Sequence, residues 1–274
     1  MTLVPRRSFL RDLGRRLGGI VALAAVARNA RGQGMDMMMR GLDLDSPRMT
    51  EAELDRAAVE AMIHRGGPVD LRGRGLNGLD LAGLDLREAD LTGARLNRSR
   101  LAGARLDGAK LAQVWAIEAD FSEASLRGAD LFQGQFPRAR FDRADLTGAR
   151  LIGNFTGARF RKAVLRELRG GADLTNQSMG LIRAVLRSAD LEGADLRDAD
   201  LTLADMEYVR LRGADLRGAR LVKAMLGGAD LTGARVDGLD LAEADIASAV
   251  LRDLVGREGL KGLERARNRD RAFF

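Results

Sequence analysis

From Leu71 onward the apolar positions of this chain fall on every fifth residue. Leu71, Leu76, Leu81, Leu86, Leu91, Leu96, Leu101, Leu106 and Leu111 keep step, and Ala116, Phe121, Leu126, Leu131, Phe136, Phe141, Leu146 and Leu151 continue it. The same phase returns at Leu186 and runs to Leu251, giving regular blocks of 17 and 14 units. Two residues before nearly all of these stands a small or apolar residue, such as Ala89, Ala94, Ser99 or Ala104. Period five suits neither common element. On an α-helix each step of five rotates the side chain by about 140°, so no stripe forms. On a flat strand it alternates faces. The chain must therefore turn regularly, so that every fifth side chain points into a core shared by stacked coils.

The segments flanking the repeat have other patterns. Residues 50–66 predict a helix: Thr50-Glu51-Ala52-Glu53 reads as a capping box, and Leu54, Ala57, Ala58, Ala61 and Met62 form one apolar stripe. Gly66-Gly67-Pro68 stops it, and its expected job is to cap the open end of the repeat. Residues 28–49 read as a flexible linker, with Met35, Met37, Met38 and Met39 as flexible apolar packing. The repeat domain is expected over 67–254. Within it the step slips, giving an irregular insert at 152–185 that is either a tolerated corner insertion or a functional loop. Phe155, Phe160 and Leu165 keep one phase there, and Leu174 and Met179 another. Residues 255–274 leave the period and read as a cap or tail, with a homodimer contact through this C-terminal segment as the alternative.

Units such as Ala89-Asp90-Leu91-Thr92-Gly93 resemble the pentapeptide-repeat family, A-(D/N)-L-x-x, and the resemblance covers about 185 residues. It implies an all-β fold, a right-handed quadrilateral β-helix with four pentapeptides per coil. Residues twenty apart then stack on one side. On that map Asp80, Arg100, Asp120 and Arg140 alternate in sign along one side, as do Asp200, Arg220 and Asp240, and Asp190, Arg210 and Asp230. The weak central position Ala116 lies between Leu96 and Phe136, whose ring is expected to fill the space.

At the other end, Arg6, Arg7, Phe9 and Leu10 resemble the twin-arginine export signal, with Pro5 in place of the usual Ser/Thr and Arg11 in place of Lys. A short apolar run, Gly18 to Ala27, follows, and Ala25-Val26-Ala27 supplies an A-x-A-like cleavage site. Ten residues are too few to span a bilayer, which needs about 20. Residues 1–27 are thus expected to be a signal peptide, and the resemblance implies export of the folded protein to the bacterial periplasm or beyond. A basic amphipathic helix that stays attached is the alternative.

Composition narrows the chemistry. The chain has no Cys, one Trp, one Tyr and one His. That His, His64, falls at the end of the expected helix without a partner motif for a catalytic triad. No phosphate loop, dinucleotide fingerprint or metal-ligand cluster occurs, so the expectation is a non-enzyme with no cofactor and no metal. Of the net charge of +6, the first 34 residues alone carry +6, while residues 35–251 carry 31 basic and 34 acidic residues. A near-neutral body argues against nucleic acid as a partner. Apolar residues at outward positions, Trp115, Ile117, Phe132 and Ile152, with the basic Arg161, Lys162, Arg166 and Arg169 of the slip region, make the candidate surface for an unidentified protein partner. The expected function is an exported, non-catalytic interaction or structural module. One alternative is a cytoplasmic binder of DNA gyrase, since some family members mimic duplex DNA. A weaker one is a polysaccharide-active β-helix enzyme.

Overall fold

The computed structural model describes residues 43, 45–172 and 182–274. Within them, Asp70 forms a parallel bridge with Asp90, Gly75 with Arg95, Asp80 with Arg100 and Asp85 with Arg105. The offset of twenty recurs along the chain, so four five-residue sides close one coil and each coil pairs with the next. The four bridges above define sides 1 to 4. Continuous strand is confined to β1 (Gly134–Gln135) and β2 (Gly153–Asn154), which pair in parallel. Elsewhere each side contributes a single bridge, because a side that also holds a two-residue turn has too few extended residues for more.

Local chemistry explains the repeat unit. The central Leu donates its amide to the next coil, as Leu71 does to the Asp90 carbonyl at 2.8 Å. The preceding Asp turns its carboxylate onto the amide two residues on, as Asp90 does to Thr92 at 3.0 Å and Asp230 to Thr232 at 3.0 Å. This Asx-type bond holds the turn open to the side chain that follows. The second residue after the central Leu takes positive φ, whether Gly (Gly93, +67°) or another residue (Glu88, +57°). No β-branched residue occupies this conformation among the described residues, as the crowding of such side chains at positive φ demands. Inside, the central leucines and the small residues two before them are fully buried. Each buried Leu contributes roughly 1.5–3 kcal/mol.

The expected insert at 152–185 resolves into two separate events. The bridge offset falls to nineteen from Gln135–Asn154 through Arg150–Arg169, then rises to thirty-one from Asn154–Val185 through Arg169–Asp200. One residue is missing between Leu151 and Phe155, and eleven extra residues lie after Gly170. Phe155, Phe160 and Leu165 are therefore ordinary central residues of an ordinary coil. Residues 173–181, with Leu174 and Met179, lie outside the described residues. The short side is accommodated by glycine: a Cβ on Gly153 would sit 2.6 Å from the Gly134 carbonyl oxygen. The same coils stack phenylalanine. Phe121, Phe141 and Phe160 lie in one column at 4.9 and 4.8 Å between nearly parallel rings, and Phe136 stacks on Phe155 at 4.9 Å. The ring of Phe136 takes its room from Gly134, where a Cβ would meet it at 2.4 Å.

The N-terminal end differs from expectation. Thr50 closes a short helix α1 (Pro47–Thr50) and bonds back to the Ser46 carbonyl, so no capping box forms. Asp55 instead caps α2 (Arg56–His64), accepting from the Ala58 amide at 2.8 Å. Val59 is buried, with Leu54, Met62 and Ile63 packed on the core, while Ala57 and Ala61 are exposed. Between the helices, Ala52 bridges Leu76 in antiparallel sense, and the Glu53 amide donates to the Gly75 carbonyl at 2.7 Å. Arg56 donates to the carbonyls of Asp80 and Ala82. The first coil's outward carbonyls on sides 2 and 3 are thus satisfied by this segment.

The C-terminal end is a coil of a different gauge. Its bridges, Arg235–Val255, Asp240–Lys261, Asp245–Arg267 and Val250–Phe273, widen by one residue per side. Gly256, Gly262 and Asn268 each take positive φ and open a 3-10 turn (Arg257–Gly259, Leu263–Arg265 and Arg269–Arg271). The segment read as a cap or tail has a regular period of six, and Leu260, Leu263, Ala266 and Ala272 pack against the core.

Replacing Gly134 by Ala forces a methyl into the Phe136 ring and is expected to cost about 1–3 kcal/mol. Gly93→Ala, whose site is open space at positive φ, is expected to cost about 1 kcal/mol. Urea denaturation of both variants measures the difference, and equal losses would show that the ring is not constrained there.

Candidate functional site

The outward residue at each bridge decides what the rod shows to solvent. Sides 1 and 3 are charged at nearly every rung, and the charges are spent on each other. Arg100 reaches back one coil to Asp80 at 3.3 Å and Arg210 to Asp190 at 2.9 Å, as Arg105 does on side 4 to Asp85 at 3.3 Å. Arg140 and Arg220 approach Asp120 and Asp200 at 3.9 Å each. The expected alternating ladders are thus discrete pairs, each arginine leaning toward the preceding coil. At three of the rungs where like charges stack, an opposite charge from the neighbouring corner lies beside them. Arg72 contacts Asp70 at 2.7 Å and Asp90 at 4.0 Å, Arg197 contacts Asp195 at 2.7 Å and Asp215 at 3.8 Å, and Asp142 holds Arg159 beside Arg140 at 2.6 Å.

These contacts lower carboxylate pKa values. The side-chain hydrogen bond from Arg72 brings Asp70 down to about 2. Bonds from Arg197 and Arg166 hold Asp195 well below the usual carboxylate range, and Arg217 does the same for Asp215. Burial raises the buried Asp190, but the bond from Arg161 helps to keep it lowered on balance.

Side 2 is different. Its outward column reads Gly75, Arg95, Trp115, Gln135, Asn154, Val185, Asp205, Met225, Asp245 and Arg267. Four successive rungs, Trp115 to Val185, carry no charge. Gln135 and Asn154 bond to each other at 3.2 Å, and with Asn154 buried the strip open to solvent is made by the half-buried Trp115, Gln135 and Val185, flanked by charged sides.

The expected partner residues are not brought together as one surface. Trp115 is half-buried on side 2. Ile117 and Ile152 are 9% and 5% exposed, too little for a partner to grip, and both are corrections to the sequence reading. Ile117 is buried where its amide meets the Asn97 side chain, and Ile152 lies in the shortened side. Phe132 is half-buried beneath the Arg150 guanidinium, 3.8 Å above its ring centre. Arg161 and Arg166 are bound to Asp190 and Asp195, each at 2.6 Å, and Arg169 to the Gly148 carbonyl at 3.0 Å. Lys162 stands exposed at a positive-φ corner. Two of the four basic residues, Arg161 and Arg166, are therefore tied to the acidic coil beside them. Arg6, Arg7, Phe9 and Leu10 lie outside the described residues. His64 is exposed, with its Nδ1 2.8 Å from the Glu60 carbonyl oxygen. Among the described residues no acidic, His or Cys group is arranged to hold a metal ion, and no helix is long and apolar enough to cross a membrane. Sequence reading missed the uncharged column, although reading every twentieth residue from Trp115 points toward it.

The model for pentapeptide repeats matches eight copies, over residues 75–113, 104–136, 119–167, 181–218 and 210–246. The chain belongs to the pentapeptide-repeat family. No curated protein matches it. Among solved structures it is similar to HetL, a pentapeptide repeat protein involved in heterocyst differentiation regulation from the cyanobacterium Nostoc. The identity is 26%, over 81% of this chain and 100% of HetL, with a TM-score of 0.31. It is also similar to full-length QnrB1, a plasmid-mediated fluoroquinolone resistance protein, at 20% identity over 69% of this chain and 92% of QnrB1, TM-score 0.40. A third is a pentapeptide repeat protein of the Arabidopsis thaliana thylakoid lumen, at 22% identity over 70% of this chain and 79% of that one, TM-score 0.18.

The lowered carboxylates set the acid response of this pentapeptide-repeat rod. Their folded pKa values lie below the unfolded value of about 3.9, so their contribution is present above that pH and lost as pH falls through the folded values. The melting temperature is expected to hold from neutral pH to about 5 and to fall below about 4. Thermal denaturation followed by circular dichroism checks this; a flat profile down to pH of about 2 would mean the pairs contribute nothing.

Proposed function

We propose that this chain is an exported, non-catalytic binding module that recognises a protein partner along side 2. The observation that carries the reading is the uncharged column from Trp115 to Val185, beside sides 1 and 3 whose charges are largely paired with one another. A partner meeting side 2 does not have to break ion pairs or desolvate charges, whereas one meeting side 1 or 3 does. Trp115 is its anchor, because a large flat side chain on a rigid backbone binds with little loss of freedom. Export rests on the match of Arg6, Arg7, Phe9 and Leu10 to the twin-arginine pattern, a pathway suited to a rod that is already folded. Paired charges also weigh against the gyrase-binding alternative, since mimicry of duplex DNA needs sustained negative charge along one side.

Two experiments test the proposal. In fractionated cells the wild-type chain is expected in the periplasm, trimmed near Ala27, and an Arg6→Lys/Arg7→Lys variant in the cytoplasm. Wild type retained in the cytoplasm, with inhibition of gyrase supercoiling by purified protein, would replace this reading by the alternative. A photo-crosslinking residue at position 115 or 225 is expected to yield a protein adduct, and one at Arg220 on side 1 none. Trp115→Asp, which places the repeat's own preferred residue at that position, is expected to abolish the position-225 adduct while changing stability by less than about 1 kcal/mol. Adducts of equal yield on both sides would refute a dedicated side 2.

A further inference from the structure

The outward column of side 2 has an internal symmetry. Counted outward from the step between Asn154 and Val185, the next rungs are Gln135 and Asp205, and the rungs after those are Trp115 and Met225. A two-fold axis lying in this face at that step, perpendicular to the rod, turns a second rod antiparallel to the first. It brings Trp115 of each copy onto Met225 of the other, an aromatic ring against a polarizable thioether. Both side chains are partly open to solvent.

The same operation acts on the corner between sides 2 and 3, across side 2 from the insertion after Gly170. There Pro137-Arg138 of one copy meets Glu207-Tyr208 of the other, which sets a guanidinium against a carboxylate and a phenol ring. Tyr208 is 48% exposed and is the one large hydrophobic residue exposed on the five-residue coils among the described residues. It holds a left-handed corner, at φ 60°, and its ring lies against Gly228, where a Cβ would sit 2.6 Å from Cδ1. Within one chain Arg138 bonds Glu118 and Glu207 bonds Arg187, each at 2.7 Å. The contact between copies joins these pairs into one row of alternating sign, Glu118, Arg138, Glu207, Arg187, and breaks neither.

Charge also selects the register. With the axis moved to the Asn154 rung, Arg138 falls on Arg187 and Glu118 on Glu207. Moved to the Val185 rung, it sets Arg187 on itself. Of these three registers, the one at the Asn154–Val185 step alone opposes no like charges between Trp115 and Met225.

We propose that side 2 is the interface of an antiparallel homodimer with its two-fold axis at the Asn154–Val185 step. The proposal rests on the reading of side 2 as a recognition surface and names the partner as a second copy of this chain. The overlap from Trp115 to Met225 spans five rung spacings, about 24 Å at the ordinary inter-strand distance. A face of that length is small, so association is expected with a Kd on the order of 10 µM.

Sedimentation of the whole purified chain tests this. An Arg138→Glu chain and a Glu207→Arg chain, each altered at a solvent-accessible corner, are expected to dimerise at least about tenfold more weakly than wild type. Mixed in equal amounts they are expected to recover association, because the two exchanged charges then face each other and the untouched Glu207 and Arg138 do the same. Recovery in the mixture also shows that both variants are folded. A wild-type chain that stays monomeric at about 500 µM, or a dimer that neither charge exchange weakens, overturns the inference. Photo-crosslinking at position 225 separates it from the broader reading of side 2. An adduct of twice the chain mass from purified protein supports the homodimer. An adduct of another mass from cells, with the purified chain monomeric, overturns the homodimer and leaves side 2 to a different protein. No adduct in either setting overturns both.

Discussion

One residue in every five must enter the left-handed region, because only that conformation folds the chain through a right angle and returns the next amide to the stacking direction. Each such residue other than Gly costs about 1 kcal/mol, and many corners here pay it. What offsets it is the pairing of coil on coil: a central amide, a corner amide and a bridge amide all find partners one coil away, as those of Leu71, Gly73 and Asp90 do. Burial of the central Leu follows from the same turn. Core, hydrogen bonds and corner strain are therefore coupled in each unit, and no unit can gain one without the others.

That coupling leaves only the outward residues free to vary, which is why surface chemistry is where this rod is individual. Asp before the central residue is partly structural, since its carboxylate holds the turn amide, as Asp80 does for Ala82. Its spare oxygen then faces the arginine of the following coil. Charge pairing between coils is in this sense a by-product of turn chemistry, and it is worth little per exposed pair. Departures from it carry more information than the pairs do. Trp115, Gln135 and Val185 carry neither the Asx turn of an aspartate nor the ion pair of an arginine.

The period of five and the small residue two before each central one are legible in the sequence because each unit obeys the same local rule. Stacking by twenty follows once four sides are assumed, and it places Asp80 with Arg100 and Asp200 with Arg220 correctly. What was not legible depends on comparison across coils. Ile117 and Ile152 look outward by register, yet the Asn97 side chain and the short side at Gly153 bury them. The slip looked like one long irregular stretch because a deletion and an insertion lie close together in sequence. Thr50 resembled a helix cap, but the chain there is recruited as an extended edge partner, and Asp55 takes the capping role. At the far end, Gly256, Gly262 and Asn268 carry a period of six that a search for fives passes over.

Side length is the variable through which this chain departs from uniformity. Five residues give the tight corner with one left-handed residue. Four, between Leu151 and Phe155, leave no room for the corner's usual crowding, so Gly134 and Gly153 meet where side chains would collide and a stack of phenylalanine rings fills the interior. Six allow a 3-10 turn, a wider coil and a corner rich in arginine and glutamate. A five-residue coil cannot pair with a six-residue one at more than one side without accumulating offset, as the bridges from Arg235–Val255 to Val250–Phe273 show by drifting one residue per side. The change of gauge thus keeps the coil stacked on all four sides while its corners fall progressively out of step with those of the coil before.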